Sequence, residues 1–129
     1  MFESLDFLYT PSADVAADMA WFRDVLGAEP VFAIEGMGAR VAALRLAEGP
    51  PVVLLTDHLE GDRPILVYRV ANLDATLGEL AERGWERAGT LEIPHGPVCS
   101  FTGPGGHRIA VYELTRPGAA EHFAGRFDF

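Results

Sequence analysis

The stretch LDFLYTPSADVAADMAWFRDVLG, Leu5 to Gly27, decides how the chain is read. Leu5–Thr10 carries aromatic and aliphatic residues over the length of a strand. Pro11 and Ser12 break it. Ser12 or Asp14 can then cap a helix, because a side-chain oxygen there accepts from an orphan N–H of the first turn. Val15, Met19, Phe22 and Leu26 follow at spacings of four, three and four, which is one helical face. Gly27 stops the helix, since glycine tolerates the left-handed conformation of a helix end.

The same order of parts returns in ILVYRVANLDATLGELAERG, Ile65 to Gly84. Ile65–Val70 is the strand, Asn72 the cap, and Leu73, Leu77 and Leu80 the helical stripe. Gly84 is the stop. A single offset places Phe7 on Ile65 and Asp14 on Asn72, so the two copies align from strand to helix without a gap. Three β-like stretches follow each helix. The expectation is therefore a duplicated βαβββ unit: an α+β fold whose two modules form a cupped, mostly antiparallel sheet.

After the first helix the strands read as Ala28–Glu35, Ala39–Leu46 and Pro51–Thr56, with turns at Gly36-Met37-Gly38 and Glu48-Gly49-Pro50. After the second, Trp85–Ile93 holds one strand, and Val98–Thr102 and His107–Leu114 read as the next two. Gly103–Gly106 leads into a strand and not a helix. It lacks the helix N-terminal amides that cradle phosphate. The expected layout is one domain over 1–129: a first module at about 5–57, a polar connector at 58–64, a second module at about 65–114 and a tail at 115–129. Phe123, Phe127 and Phe129 are too apolar for a free tail, which either folds back on the domain or packs on a partner subunit.

Composition narrows the function. The chain has 129 residues, 49% of them hydrophobic, enough for a core. Asp and Glu number 19 against 10 Lys and Arg, a net charge of −9. Such a surface repels phosphate backbones and anionic lipid, so neither nucleic acid nor membrane is expected as a partner. Cys99 is the sole cysteine, which precludes an intrachain disulfide and suits a reducing cytoplasm. It reads as a small buried hydrophobe and not as a nucleophile. The N-terminus shows no signal-peptide pattern, so a cytoplasmic location is expected.

Four places resemble the vicinal-oxygen-chelate superfamily, which includes glyoxalase I, extradiol dioxygenases, fosfomycin-resistance enzymes and bleomycin-resistance proteins. They are WFRDVLG (Trp21–Gly27), VANLDATLGELAERG (Val70–Gly84), PHG (Pro94–Gly96) and TGPGGHRIAVYEL (Thr102–Leu114). The resemblance covers roughly Leu5–Leu114 and implies the fold, but not a reaction, since one scaffold serves many chemistries. It also implies where metal-using members place their four ligands. Here those positions hold Phe7, Leu54, Ile65 and Ala110, none of which donates a lone pair. Strand alternation turns the neighbouring Asp6, and Glu113 three residues past Ala110, away from the cavity. His58 lies in the connector, His95 and His107 in turns, and His122 in the tail. No metal and no cofactor are therefore expected.

The same parity gives the concave face: Phe7 and Tyr9, Val52, Leu54 and Thr56, Ile65, Val67 and Arg69, and Arg108, Ala110 and Tyr112. Leu8, Val53, Leu55, Leu66, Ile109 and Val111 should lie under the helices. An apolar and aromatic cavity with Tyr9, Thr56, Arg69, Arg108 and Tyr112 as its polar groups is the make-up of a small-molecule site. No carboxylate is expected on that face, so no acid–base residue is assigned. Glu35 and Arg40 flank the Gly36 turn without a settled facing. The sequence points to a metal-free homodimeric binder of a small hydrophobic or aromatic molecule, of the bleomycin-resistance type. The alternatives are a lyase, isomerase or dioxygenase of the same superfamily, and a scaffold with a closed cup.

Overall fold

The computed structural model describes all 129 residues, apart from the side chain of Ala120. Its elements are β1 (Phe2–Pro11), α1 (Val15–Leu26), β2 (Glu29–Gly36), β3 (Ala39–Arg45), β4 (Val52–Thr56), β5 (Ile65–Val70), α2 (Leu73–Glu82), β6 (Gly89–Ile93), β7 (Gly96–Thr102), β8 (Arg108–Glu113) and the short α3 (Ala119–Phe123). This is the α+β arrangement of two βαβββ modules. No helix is long and apolar enough to cross a membrane among the described residues.

The chain forms two compact units. One comprises Phe7–Pro64 with Phe123–Phe129, and the other Met1–Asp6 with Ile65–His122. β1 thus serves both, changing unit between Asp6 and Phe7. In the Phe7–Pro64 unit the strands run β2-β3-β4-β1, with β1 and β4 parallel and the other pairs antiparallel. In the Ile65–His122 unit they run β1-β5-β8-β7-β6, with β5 and β8 parallel and β6-β7 and β7-β8 antiparallel.

The helix starts are built alike. Asp14, and not Ser12, caps α1, its carboxylate accepting from Ala17 N at 3.0 Å. Asn72 caps α2, its side-chain oxygen accepting from Ala75 N at 2.9 Å. Ser12 is buried, and its hydroxyl donates to Asp18 at 2.5 Å. Glu113 accepts from Leu73 N at 2.8 Å, which ties β8 to the first turn of α2.

Each unit has its own core. Val15 and Met19 of α1 pack on Ala33, Ala42, Leu44, Val53 and Leu55, with Leu8 and Phe22 at the margin. Leu73 and Leu77 of α2 pack on Val70, Cys99 and Val111, with Tyr68 and Trp85 beside them. Of the six residues expected under the helices, Leu8, Val53, Leu55 and Val111 join these cores, while Leu66 and Ile109 are half-buried and belong to neither. Leu26 departs from the predicted stripe and is 47% exposed, because the last turn of α1 leaves the contact with the sheet. Cys99 is buried, and burial pushes its thiol pKa up, which disfavours the nucleophilic thiolate.

The tail folds back on its own chain. Gly125 N donates to Val31 O at 2.9 Å, Ala33 N to Arg126 O at 2.9 Å, and Asp128 N to Ala33 O at 2.6 Å. Phe129 reaches the core of the Phe7–Pro64 unit, and Phe123 lies 5.9 Å from Phe32, ring to ring.

Candidate functional site

The polar residues of the predicted concave face fall into two groups, one in each unit. In the Ile65–His122 unit, β5 and β8 run side by side with Ile65 opposite Arg108, Val67 opposite Ala110 and Arg69 opposite Tyr112. Cross-strand partners share a face of the sheet. Val67, Ala110 and Tyr112 are buried, while Ile65, Arg69 and Arg108 remain half-buried. The alternation therefore gives an apolar floor with an arginine toward each end.

One side chain here contradicts the sequence reading. Asp6, expected to turn away, accepts from the Tyr112 hydroxyl through Oδ2. Its other oxygen accepts from the Ser4 hydroxyl at 2.5 Å. The Arg69 Nε lies 3.7 Å from Oδ2, with the arginine side chain 38% exposed and the aspartate 14%. A carboxylate thus meets two of the predicted site residues. The expectation failed because parity along one strand does not report which side chain of a strand 106 residues away a carboxylate will meet.

His95 also joins this group. Its ring meets the Tyr112 ring edge-on, 6.4 Å between centroids. The β6–β7 turn holds it there. Arg116 donates to Pro94 O and Ile93 O, both at 2.7 Å, and to the Glu92 carboxylate at 2.6 Å. Gly96 packs so close that a Cβ would stand 2.0 Å from Glu113 O, at φ +155°. Only glycine fits, which gives the Pro94-His95-Gly96 triplet a physical reason.

The electrostatics follow from burial. Tyr112 has its phenol pKa pushed far up, first by desolvation and then by the hydrogen bond and negative charge of Asp6; Arg69 opposes this. His95 has its pKa lowered by desolvation, against the pull of Asp6 and with a small push from Arg116. Both shifts favour the uncharged forms, a Tyr112 phenol that donates to Asp6 and a neutral His95 imidazole beside it. Arg69 Nε is buried without a hydrogen-bond partner. An open depression of about 330 Å³ lies beside it, lined by Glu3, Arg69, Val70, Ala71, Glu113 and Leu114. Only Arg69 of the predicted site residues borders it.

In the Phe7–Pro64 unit, β1 and β4 place Phe7 opposite Val52 and Tyr9 opposite Leu54. The Tyr9 hydroxyl and His58 Nε2 are 2.6 Å apart. Thr56 is fully buried and accepts from His58 N at 3.4 Å. Burial raises the Tyr9 pKa, and the hydrogen bond to Thr56 partly offsets this. Phe7, Tyr9 and Leu54 are half-buried. Sequence reasoning passed over His58 because it follows the strand by two residues, and no periodic signal reports a side chain that bends back. Glu35 and Arg40 pair with each other at 3.5 Å, and the Arg40 guanidinium covers the Phe129 ring at 4.8 Å. They serve the tail.

No family model and no curated protein sequence matches the chain. Solved structures do. A methylmalonyl-CoA epimerase from Mycobacterium tuberculosis is 21% identical, with a TM-score of 0.73 over 92% of this chain and 93% of that one. This is the vicinal-oxygen-chelate fold. A hypothetical protein from Bacillus halodurans C-125 shares it at 12% identity and TM-score 0.74, over 88% and 95% of the two chains. So does the Streptomyces coelicolor methylmalonyl-CoA epimerase in complex with 2-nitronate-propionyl-CoA, at 13% identity and TM-score 0.72, over 90% and 100%. At these identities the likeness carries the vicinal-oxygen-chelate fold and no activity.

A metal is the group this fold commonly holds. The four positions carried over by resemblance are Phe7, Leu54, Ile65 and Ala110, whose side chains are hydrocarbon or aromatic ring. Among the described residues, no three of His, Cys, Asp or Glu gather as ligands. These side chains do not fit an ion.

Proposed function

We propose that this protein is a metal-free small-molecule binder of the vicinal-oxygen-chelate fold. It acts in the cytoplasm as a homodimer and takes a ligand with a hydrophobic or aromatic body and at least one acceptor oxygen. The observation that carries this reading is Arg69. Its Nε is buried without a hydrogen bond, its side chain as a whole is 38% exposed, and Asp6 Oδ2 lies 3.7 Å from that Nε. A buried donor left unpaired costs about 1–3 kcal/mol, and an acceptor brought by a ligand would offset that cost. Ile65, with the Val67 and Ala110 floor beneath, supplies apolar area at roughly 25 cal/mol per Å², before association costs. The test is native mass spectrometry of the protein taken from its own host. A retained organic mass, lost in Arg69→Ala, supports the reading. Stoichiometric Zn, Ni, Mn or Fe, by the same measurement or by calorimetry on dialysed protein, overturns it.

A second reading has its own support. The neighbouring epimerases and the unforeseen Asp6–Tyr112–His95 group both favour an enzyme that moves a proton. Its test uses methylmalonyl-CoA in D2O without added metal. Deuterium wash-in abolished by Asp6→Asn would establish that reading, and no wash-in with this probe leaves the binder as the better account.

A further inference from the structure

The depression beside Arg69 is lined by charges of both signs. Glu3, Arg69 and Glu113 border it together with Val70, Ala71 and Leu114, and all six belong to the unit of Met1–Asp6 with Ile65–His122. The topology brings them there. β5 and β8 end side by side with Val70 opposite Glu113, Ala71 and Leu114 follow the strand ends, and Glu3 comes from β1. The charges are not spent on one another. Among the described residues, Arg69 pairs with Asp6, at 3.7 Å, and with neither glutamate. The Glu3 side chain is exposed and makes no ion pair among those residues. Glu113 Oε1 accepts from Leu73 N at 2.8 Å, which leaves Oε2 without a hydrogen bond among them.

Such a lining selects by charge. A simple anion drawn to Arg69 would also meet two carboxylates, and a simple cation drawn to the carboxylates would meet the guanidinium. A ligand carrying both charges satisfies both. The guanidinium fork matches a carboxylate, and carboxylates accept from the N–H groups of an ammonium. The volume of about 330 Å³ is at the small end for ligand pockets, so both charges sit close together on a small molecule. Ala71 and Leu114 offer apolar contact to the rest of it. We propose that the depression takes a zwitterion, an α-amino acid with an apolar or aromatic side chain, its carboxylate on Arg69 and its ammonium on Glu3 and Glu113. This rests on the binder reading, with which it shares Arg69, and adds a cationic end to the ligand.

The probes are L-phenylalanine, 3-phenylpropanoate, which lacks the ammonium, and 2-phenylethylamine, which lacks the carboxylate. Amide NMR titrations of the full chain report both site and affinity. L-phenylalanine should saturably shift the Ala71 and Leu114 amides, and each truncated probe should bind about fivefold or more weakly. Arg69→Ala should weaken L-phenylalanine by about tenfold or more. Glu3→Gln, at an exposed position, should weaken L-phenylalanine by about two- to fivefold and leave 3-phenylpropanoate unchanged. That variant decides should Arg69→Ala fail to fold. Equal binding of 3-phenylpropanoate and L-phenylalanine overturns the zwitterion and leaves the binder standing. No saturable shift of those amides by L-phenylalanine also overturns it, and the binder is then decided separately by the mass retained from the host.

Discussion

The two modules begin alike and end differently. Both first strands lead through a short turn into a helix capped by a side-chain oxygen three residues before the amide it accepts from. Both helices cover a core of similar make-up. Yet the Phe7–Pro64 unit places a Tyr9–His58 pair at an exposed connector. The Ile65–His122 unit sinks a charged group, Asp6 with Arg69, onto a buried tyrosine. A repeated backbone frame thus fixes where side chains can stand. The turns and terminal segments decide which polar atoms meet there.

Four measurements break or sharpen that comparison. The largest effect concerns the cores. Leu55→Ala and Leu77→Ala, one in each unit, should each cost about 2–5 kcal/mol in urea unfolding, since each deletes a buried side chain. A loss confined to one of them would show that the two cores are not equivalent. Next come the tyrosines. Tyr112→Phe strips the buried donor from Asp6 and should cost about 1–3 kcal/mol. Tyr9→Phe, whose partner His58 is exposed, should cost less than about 1 kcal/mol. Equal losses would erase the contrast drawn here.

The caps should behave as a matched pair. Asp14→Ala and Asn72→Ala are each expected to lower stability by about 1 kcal/mol. The smallest effect is a pH dependence peculiar to one unit. Burial holds the folded His95 pKa below its ordinary value of 6.5, with Asp6 opposing and Arg116 assisting. As pH falls from about 6.5, the unfolded chain takes up the proton first. Stability contributed by neutral His95 is therefore present above that pH and declines as pH drops toward the folded pKa. Proton NMR should find the His95 titration below the ordinary histidine range. His95→Gln should flatten the stability profile between pH 7 and pH 5, an interval set by about 6.5 as the upper midpoint.

Much of the frame was legible before any coordinates. β5 occupies Ile65–Val70 as read, and α1 and α2 lie where cap, stripe and stop put them. Local patterns report these features because they arise from nearest neighbours: alternation for strands, a spacing of three and four for helices. The ends were less legible. β1 runs on from Phe2 to Pro11, beyond the expected Leu5–Thr10. β6 takes only Gly89–Ile93 of the Trp85–Ile93 stretch expected to hold it. Pairing with a neighbouring strand sets such limits, and a neighbour distant in sequence leaves no local mark.

The candidate site divides the same way. By itself the sequence determined the two modules and the helix-facing parity of Leu8, Val53, Leu55 and Val111. Tertiary structure alone decided that Asp6 would meet Tyr112, 106 residues away, that His95 would stand beside that ring, and that Gly125–Asp128 would close the β2 edge. Those meetings depend on a hydrogen bond between strands far apart in sequence, on a turn clamped by Arg116, and on main-chain bonds that any sequence can make. Periodicity carries no information about any of the three, because each joins atoms that only the folded path of the chain brings within bonding distance.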